Sequence, residues 1–150
     1  MTRFSFVLIL LISVIIGSCE KDGLSGSEEN QIDQFITSEN FQITEKTSSG
    51  LVYIRNSPNP SGAALLIGQT VTVNYAGRLL SNKEFDSGTF SFVLGAGRVV
   101  RGFDEGIAKM RVGEKATIIF PSSLGYGNMK QGSIPKNSPL VFDVEVLSAK

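Results

Sequence analysis

Val99-Val100-Arg101-Gly102-Phe103-Asp104-Glu105-Gly106-Ile107-Ala108-Lys109-Met110 is the stretch on which the fold turns. Phe103, Ile107 and Met110 stand at i, i+4 and i+7, one stripe of an α-helix, so the spacing predicts a single helix over about 101–109. Gly113, shortly beyond, supplies a stop signal. On both sides of this segment the apolar period changes to two. Residues 70–80 alternate, with Val71, Val73 and Tyr75 on one face and Thr70, Thr72 and Asn74 on the other. Residues 50–55 and 90–94 read as shorter strands, and 57–62 as a loop by its Ser, Pro, Asn and Gly. Downstream, Ala116, Ile118 and Phe120 share a face of a strand over 115–120. In a last strand over 140–147, Phe142, Val144 and Val146 lie opposite Asp143 and Glu145. Strands around one helix make an α+β domain with an antiparallel sheet. Alternation implies one buried face. The helix must cover that face, because nothing else is long enough.

Composition narrows the chemistry. The chain has 150 residues, room for one ordinary domain, and its charge is balanced at 14 basic and 14 acidic residues. No basic excess points to nucleic acid. There is no His, which removes His-based acid–base catalysis and His-ligated metal sites. The single Cys forbids an internal disulfide, and no Ser-His-Asp or Cys-His system is possible. Catalysis without a cofactor or metal is left to binding and electrostatics, or to Asp, Glu, Lys and Tyr.

The first residues read as an export signal. Arg3 gives a positive start, residues 4–16 are almost continuously apolar, and Ile16-Gly17-Ser18-Cys19 follows. The apolar run is shorter than the roughly 20 residues that span a bilayer core, and it ends in small residues. Ile-Gly-Ser-Cys resembles the bacterial lipobox. The resemblance implies lipidation of Cys19, cleavage before it, and a cell-envelope protein anchored to a membrane through that lipid. In a Gram-negative cell this would be the outer membrane or a periplasmic face. The division expected is a lipoprotein signal peptide over 1–18, a tether and short helix over 19–45, and a folded domain over 46–150. Within the second part, Ser25 and Glu28 have capping-box spacing, and Ile32, Phe35 and Ile36 predict a short amphipathic helix over about 28–38. Packing on its own domain is the reading preferred for it.

Four segments together resemble the FKBP-type peptidyl-prolyl cis/trans isomerases, in the form of a bacterial lipoprotein. They are Val73-Asn74-Tyr75-Ala76-Gly77; Glu84-Phe85-Asp86-Ser87; Val99 to Gly106; and Tyr126-Gly127 followed by Ile134-Pro135 and by Leu140-Val141-Phe142-Asp143-Val144-Glu145. The resemblance covers roughly residues 50–149. It implies an antiparallel five- to six-stranded half-barrel wrapped around one short helix, with an aromatic pocket between helix and sheet. It implies rotation of X–Pro bonds as the activity, proline-containing polypeptides as substrates, and macrolides of the FK506 and rapamycin type as inhibitors.

The catalytic positions so implied are Tyr75, Asp86 and Tyr126. The substrate-binding ones are Phe85, Phe90, Val99, Val100, Phe103, Ile134 and Phe142. Phe92, Phe120 and Val144 read as core. Three departures from the family pattern stand out. Phe103 occupies a floor position where Trp is common, and the chain has no Trp. Only Ser87-Gly88-Thr89 separates Asp86 from Phe90, where relatives often carry a longer bulge with an Arg that pairs with the Asp. Ser133 stands before Ile134 where a second aliphatic is common. These departures keep open a second reading, a low-turnover module that binds proline-containing peptides as a chaperone. A structural lipoprotein with an idle pocket is the third.

Overall fold

The computed structural model describes residues 26–150. The expected signal peptide, Cys19 and Ser25 lie outside the described residues. Helix α1 spans Glu28–Ser38 and is followed by β1 (Glu45–Lys46), β2 (Val52–Ser57), β3 (Thr70–Leu79) and β4 (Glu84–Val93). Then come α2 (Arg101–Ile107), β5 (Lys115–Phe120), a turn of 3-10 helix (Ser122–Leu124) and β6 (Leu140–Ala149). The six strands form one antiparallel sheet in the order β1-β2-β5-β6-β3-β4. This is the α+β arrangement that the alternating strands and single central helix predicted.

The pleat sends successive side chains to opposite faces, and here both faces of the sheet centre are covered. Leu51, Tyr53, Ile118, Phe120, Leu140 and Phe142 join the cluster built on Phe103, Ile107 and Met110 of α2. Their neighbours Val52, Ile54, Ile119 and Val141 join a second cluster with Ile32, Phe35 and Ile36 of α1. The expectation of one buried face is therefore corrected. The N-terminal helix covers the other face, and each of its three apolar side chains contributes about 1.5–3 kcal/mol by leaving water.

Several boundaries also differ from the reading of the sequence: β2 runs to Ser57, which was expected in a loop, and β6 runs to Ala149. The α1 cap is Ser27, whose side chain accepts from the Asn30 N–H. Helix α2 ends at Ile107 with Ala108 as its cap. Met110 N–H still bonds the Ile107 carbonyl at 2.9 Å, and Gly113, at φ +80°, belongs to the tight turn that opens β5. Strand β4 starts at Glu84, so Ser87-Gly88-Thr89 is not a loop but pairs with Ala76, Tyr75 and Asn74 of β3. Its small polar residues suit an edge strand, one side of which faces water.

Candidate active site

The helix comes close to the sheet because Gly102 and Gly106 face β5. A Cβ built on Gly102 would sit 2.3 Å from Cγ of Phe120, and one on Gly106 would sit 2.6 Å from Cδ1 of Ile118. That approach delivers Phe103, the residue beside Gly102, onto the aromatic side chains of the sheet. Its ring centroid is 5.0 Å from that of Phe142, at an interplanar angle of 71°. It is 6.0 Å from Phe90 and 6.2 Å from Tyr75. Phe85 stands edge-on to Phe142 at 5.6 Å and 81°. This pair closes over Gly77, where a Cβ would meet both rings at 2.7 Å. Edge-to-face contacts of this kind suit the negative face and positive edge of an aromatic ring.

These rings wall a cavity of about 480 Å³. Strand β3 contributes Tyr75; β4 contributes Phe85, Asp86 and Phe90; α2 contributes Phe103; β6 contributes Phe142. The loop entering α2 adds Gly97, Arg98, Val99 and Val100, and the loop after the 3-10 turn adds Tyr126. Asp104 holds the first of these loops by accepting from the Gly95 N–H at 2.8 Å. Nine of the ten positions singled out in the sequence thus meet around one space. Ile134 does not line it; at 4% exposure it is packed into the α2 cluster instead. Arg98 was missed. It is exposed, and none of the ion pairs among the described residues uses it. Nothing in its immediate sequence marks it.

Asp86 is exposed, and its partner is Tyr75 rather than an Arg. The Tyr75 hydroxyl donates to Oδ2 of Asp86 at 2.6 Å. That hydrogen bond, aided by burial and by the Asp86 charge, pushes the Tyr75 hydroxyl up to about 12. Tyr53, under the sheet, is also pushed up to about 12, by burial first and then by the charge of Glu114. Both phenols keep their protons in the folded state while an unfolded tyrosine loses its own near 10. Their contribution to stability is full below pH 10 and is lost as pH rises from about 10 to about 12. Tm is expected to fall across that window, and less steeply in Tyr53→Phe and Tyr75→Phe. Absorbance showing two tyrosines ionising near 10 in the folded protein would contradict the assignment.

The family model for FKBP-type peptidyl-prolyl cis-trans isomerase matches residues 63–147. The chain belongs to this family. FK506-binding protein 1 of Dictyostelium discoideum is 44% identical over 90 residues, covering 56% of this chain and 84% of that protein. FK506-binding protein 4 of Mycosarcoma maydis is 44% identical over 111 residues, covering 71% of this chain and 29% of that protein. Several of the curated relatives are thus much longer, and the chain spans under a third of their length. Among solved structures, FkpA from Escherichia coli superposes with a TM-score of 0.70 at 35% identity, over 79% of this chain and 57% of that one. Within the FKBP frame, α1, β1 and β2 precede the matched residues, whereas every cavity-lining side chain falls inside them.

Proposed function

We propose that this FKBP is a peptidyl-prolyl cis/trans isomerase of the cell envelope, held at a membrane by lipid on Cys19 and acting on exported proteins. The observation that carries the activity is the aromatic cavity between α2 and the sheet, in a chain of this family. Rotation about an X–Pro bond is opposed by a barrier of about 18–20 kcal/mol from amide resonance. No bond has to be made or broken. In the twisted amide, resonance is lost and the carbonyl is less polar, so an apolar site that strips water favours it over the planar form. This is preferential binding of the transition state, and it asks for no His, thiol or metal.

The roles follow from position. Phe90, Val99, Val100, Phe103 and Phe142 enclose the proline ring. Tyr75, Phe85 and Phe142 present ring edges, which are electropositive, to the carbonyl before the proline. Asp86 fixes Tyr75 through the 2.6 Å hydrogen bond. The Tyr126 hydroxyl and the Val100 N–H, at the start of α2, orient the flanking peptide. A macrolide of the FK506 type fills the same space and competes.

Exchange of an X–Pro tetrapeptide series tests these roles. Tyr126→Phe is expected to lower kcat/KM about fivefold, the worth of one hydrogen bond. Asp86→Ala frees Tyr75 and is expected to cost about tenfold. Phe103→Ala removes the floor and is expected to cost more than either. Folded variants with undiminished turnover would remove the site. Peptide binding without turnover in the parent protein would assign the binding-module reading. The anchor is tested by mass: a membrane-extracted chain beginning at an acylated Cys19 supports it, and an unmodified soluble chain contradicts it.

A further inference from the structure

We infer that Glu28 on the N-terminal helix, outside the family-matched residues, is a positioning residue for Tyr126 in the cavity; the inference rests on the role proposed above for Tyr126. Ser122, 6% exposed, is one of few buried polar residues. It opens the 3-10 turn after β5, and the residue before it, Pro121, offers no side-chain cap. The cap comes from 94 residues away. One carboxylate, that of Glu28, accepts from both the Ser122 N–H and the Ser122 hydroxyl, each at 2.6 Å. Hydrogen bonds to an ionised acceptor are short and strong.

The Ser122 carbonyl carries the constraint onward. It accepts from the N–H groups of Gly125 and Gly127, both at 2.8 Å, and these two residues bracket Tyr126. Gly127 is at φ +59° with nothing within 4 Å of where a Cβ would sit, so hydrogen bonds rather than side-chain packing fix it: its N–H to Ser122, and the Asn137 N–H to its own carbonyl at 2.7 Å. A peptide flanked by two glycines has many conformations open to it. Here the Ser122 carbonyl holds the two amides, alongside the Met129 and Asn137 N–H groups that donate to the Tyr126 and Gly127 carbonyls, and Glu28 holds Ser122. Glu28 itself is anchored, because Ile32, Phe35 and Ile36 of the same helix are buried against the sheet. The route from α1 to the residues that flank Tyr126 is thus a chain of hydrogen bonds, Glu28 to Ser122 to the Gly125 and Gly127 amides.

Lys46 supplies the control. It ties α1 to β1 through Glu29 at 3.0 Å and Asp33 at 3.3 Å without touching Ser122. With the full chain in detergent, Glu28→Ala is expected to lower kcat/KM about three- to tenfold, within the range known for slight misplacement of a catalytic group. Lys46→Ala is expected to leave it unchanged. In a Tyr126→Phe background, Glu28→Ala is expected to change kcat/KM less than twofold, since residues acting through one group do not add. Amide hydrogen exchange at Gly125 and Gly127 is expected to speed up at least tenfold in Glu28→Ala while Ile118 and Phe142 stay protected. Effects of Glu28→Ala and Tyr126→Phe that multiply, an equal loss in Lys46→Ala, or unchanged exchange at the two glycines would overturn the inference. A parent chain with no turnover would remove the proposed activity alone, and the exchange measurement would still decide whether Glu28 holds this loop.

Discussion

Gly102→Ala is expected to destabilise the protein by about 3 kcal/mol, at the upper end of what overpacking costs. The sign is the informative part. In an exposed helix the same change gains about 1 kcal/mol, because alanine is the better helix former. Here the added methyl would lie 2.3, 2.5 and 2.6 Å from three ring carbons of Phe120. Phe120 is fully buried and stacked on Phe142 at 5.7 Å and 13°, so its ring has nowhere to turn. Relief requires α2 to lift from β5, which carries Phe103 out of the cavity. Thermal melting should therefore show Tm lower by about 10 °C, together with weakened peptide binding. Gly106→Ala is expected to destabilise in the same direction, since its Cβ would lie 2.6 Å from both Cδ1 and Cγ2 of Ile118, a fully buried and β-branched side chain. A Gly102→Ala protein as stable as the parent would mean that the helix does not seat this closely.

Glu114→Ala is expected to cost a similar amount, about 3 kcal/mol, for the opposite reason: it removes an acceptor instead of adding bulk. Glu114 is 1% exposed at the end of the turn that leads into β5, its N–H bonded to the Arg111 carbonyl. Its carboxylate accepts from the Tyr53 hydroxyl at 3.1 Å, the Arg111 N–H at 2.8 Å and Nε of Arg55. Breaking a buried ion pair from one side costs about 3–5 kcal/mol. The Arg55 side chain is 41% exposed and can hydrate itself, which places the loss at the lower end. Most of that loss is the cost of stranding a buried phenol and a backbone N–H, at about 1–3 kcal/mol each. Glu114→Gln keeps one acceptor for three donors and should fall between. Urea unfolding with an unchanged m-value measures both, and a loss below about 1 kcal/mol for Glu114→Ala would contradict the assignment.

What the sequence made legible follows from how local each signal was. Strands β3, β5 and β6 announced themselves through alternation, and α2 through Phe103, Ile107 and Met110. Half of β4 did not, because Ser87-Gly88-Thr89 has the composition of a loop and only its pairing with β3 makes it a strand. The second buried face was hidden in plain alternation. Ile119 and Val141 point away from Ile118 and Phe142, and their need for cover becomes visible only when β5 and β6 are paired and α1 is seated. Most of the cavity was legible through a family pattern spread over four segments. Ile134, in the fourth of them, packs into the core rather than lining the space. Glu114 with Arg55 and Glu28 with Ser122 were out of reach, since the partners stand 59 and 94 residues apart and nothing local calls for a carboxylate at either place.

The proposed activity has one most direct test. The purified chain is added to an X–Pro tetrapeptide and cis/trans exchange is timed with and without FK506. Uncatalysed exchange takes tens to hundreds of seconds. Acceleration at catalytic concentrations, abolished by the macrolide, is the result expected of the aromatic cavity. Exchange at the uncatalysed rate, in protein shown to be folded, would contradict it.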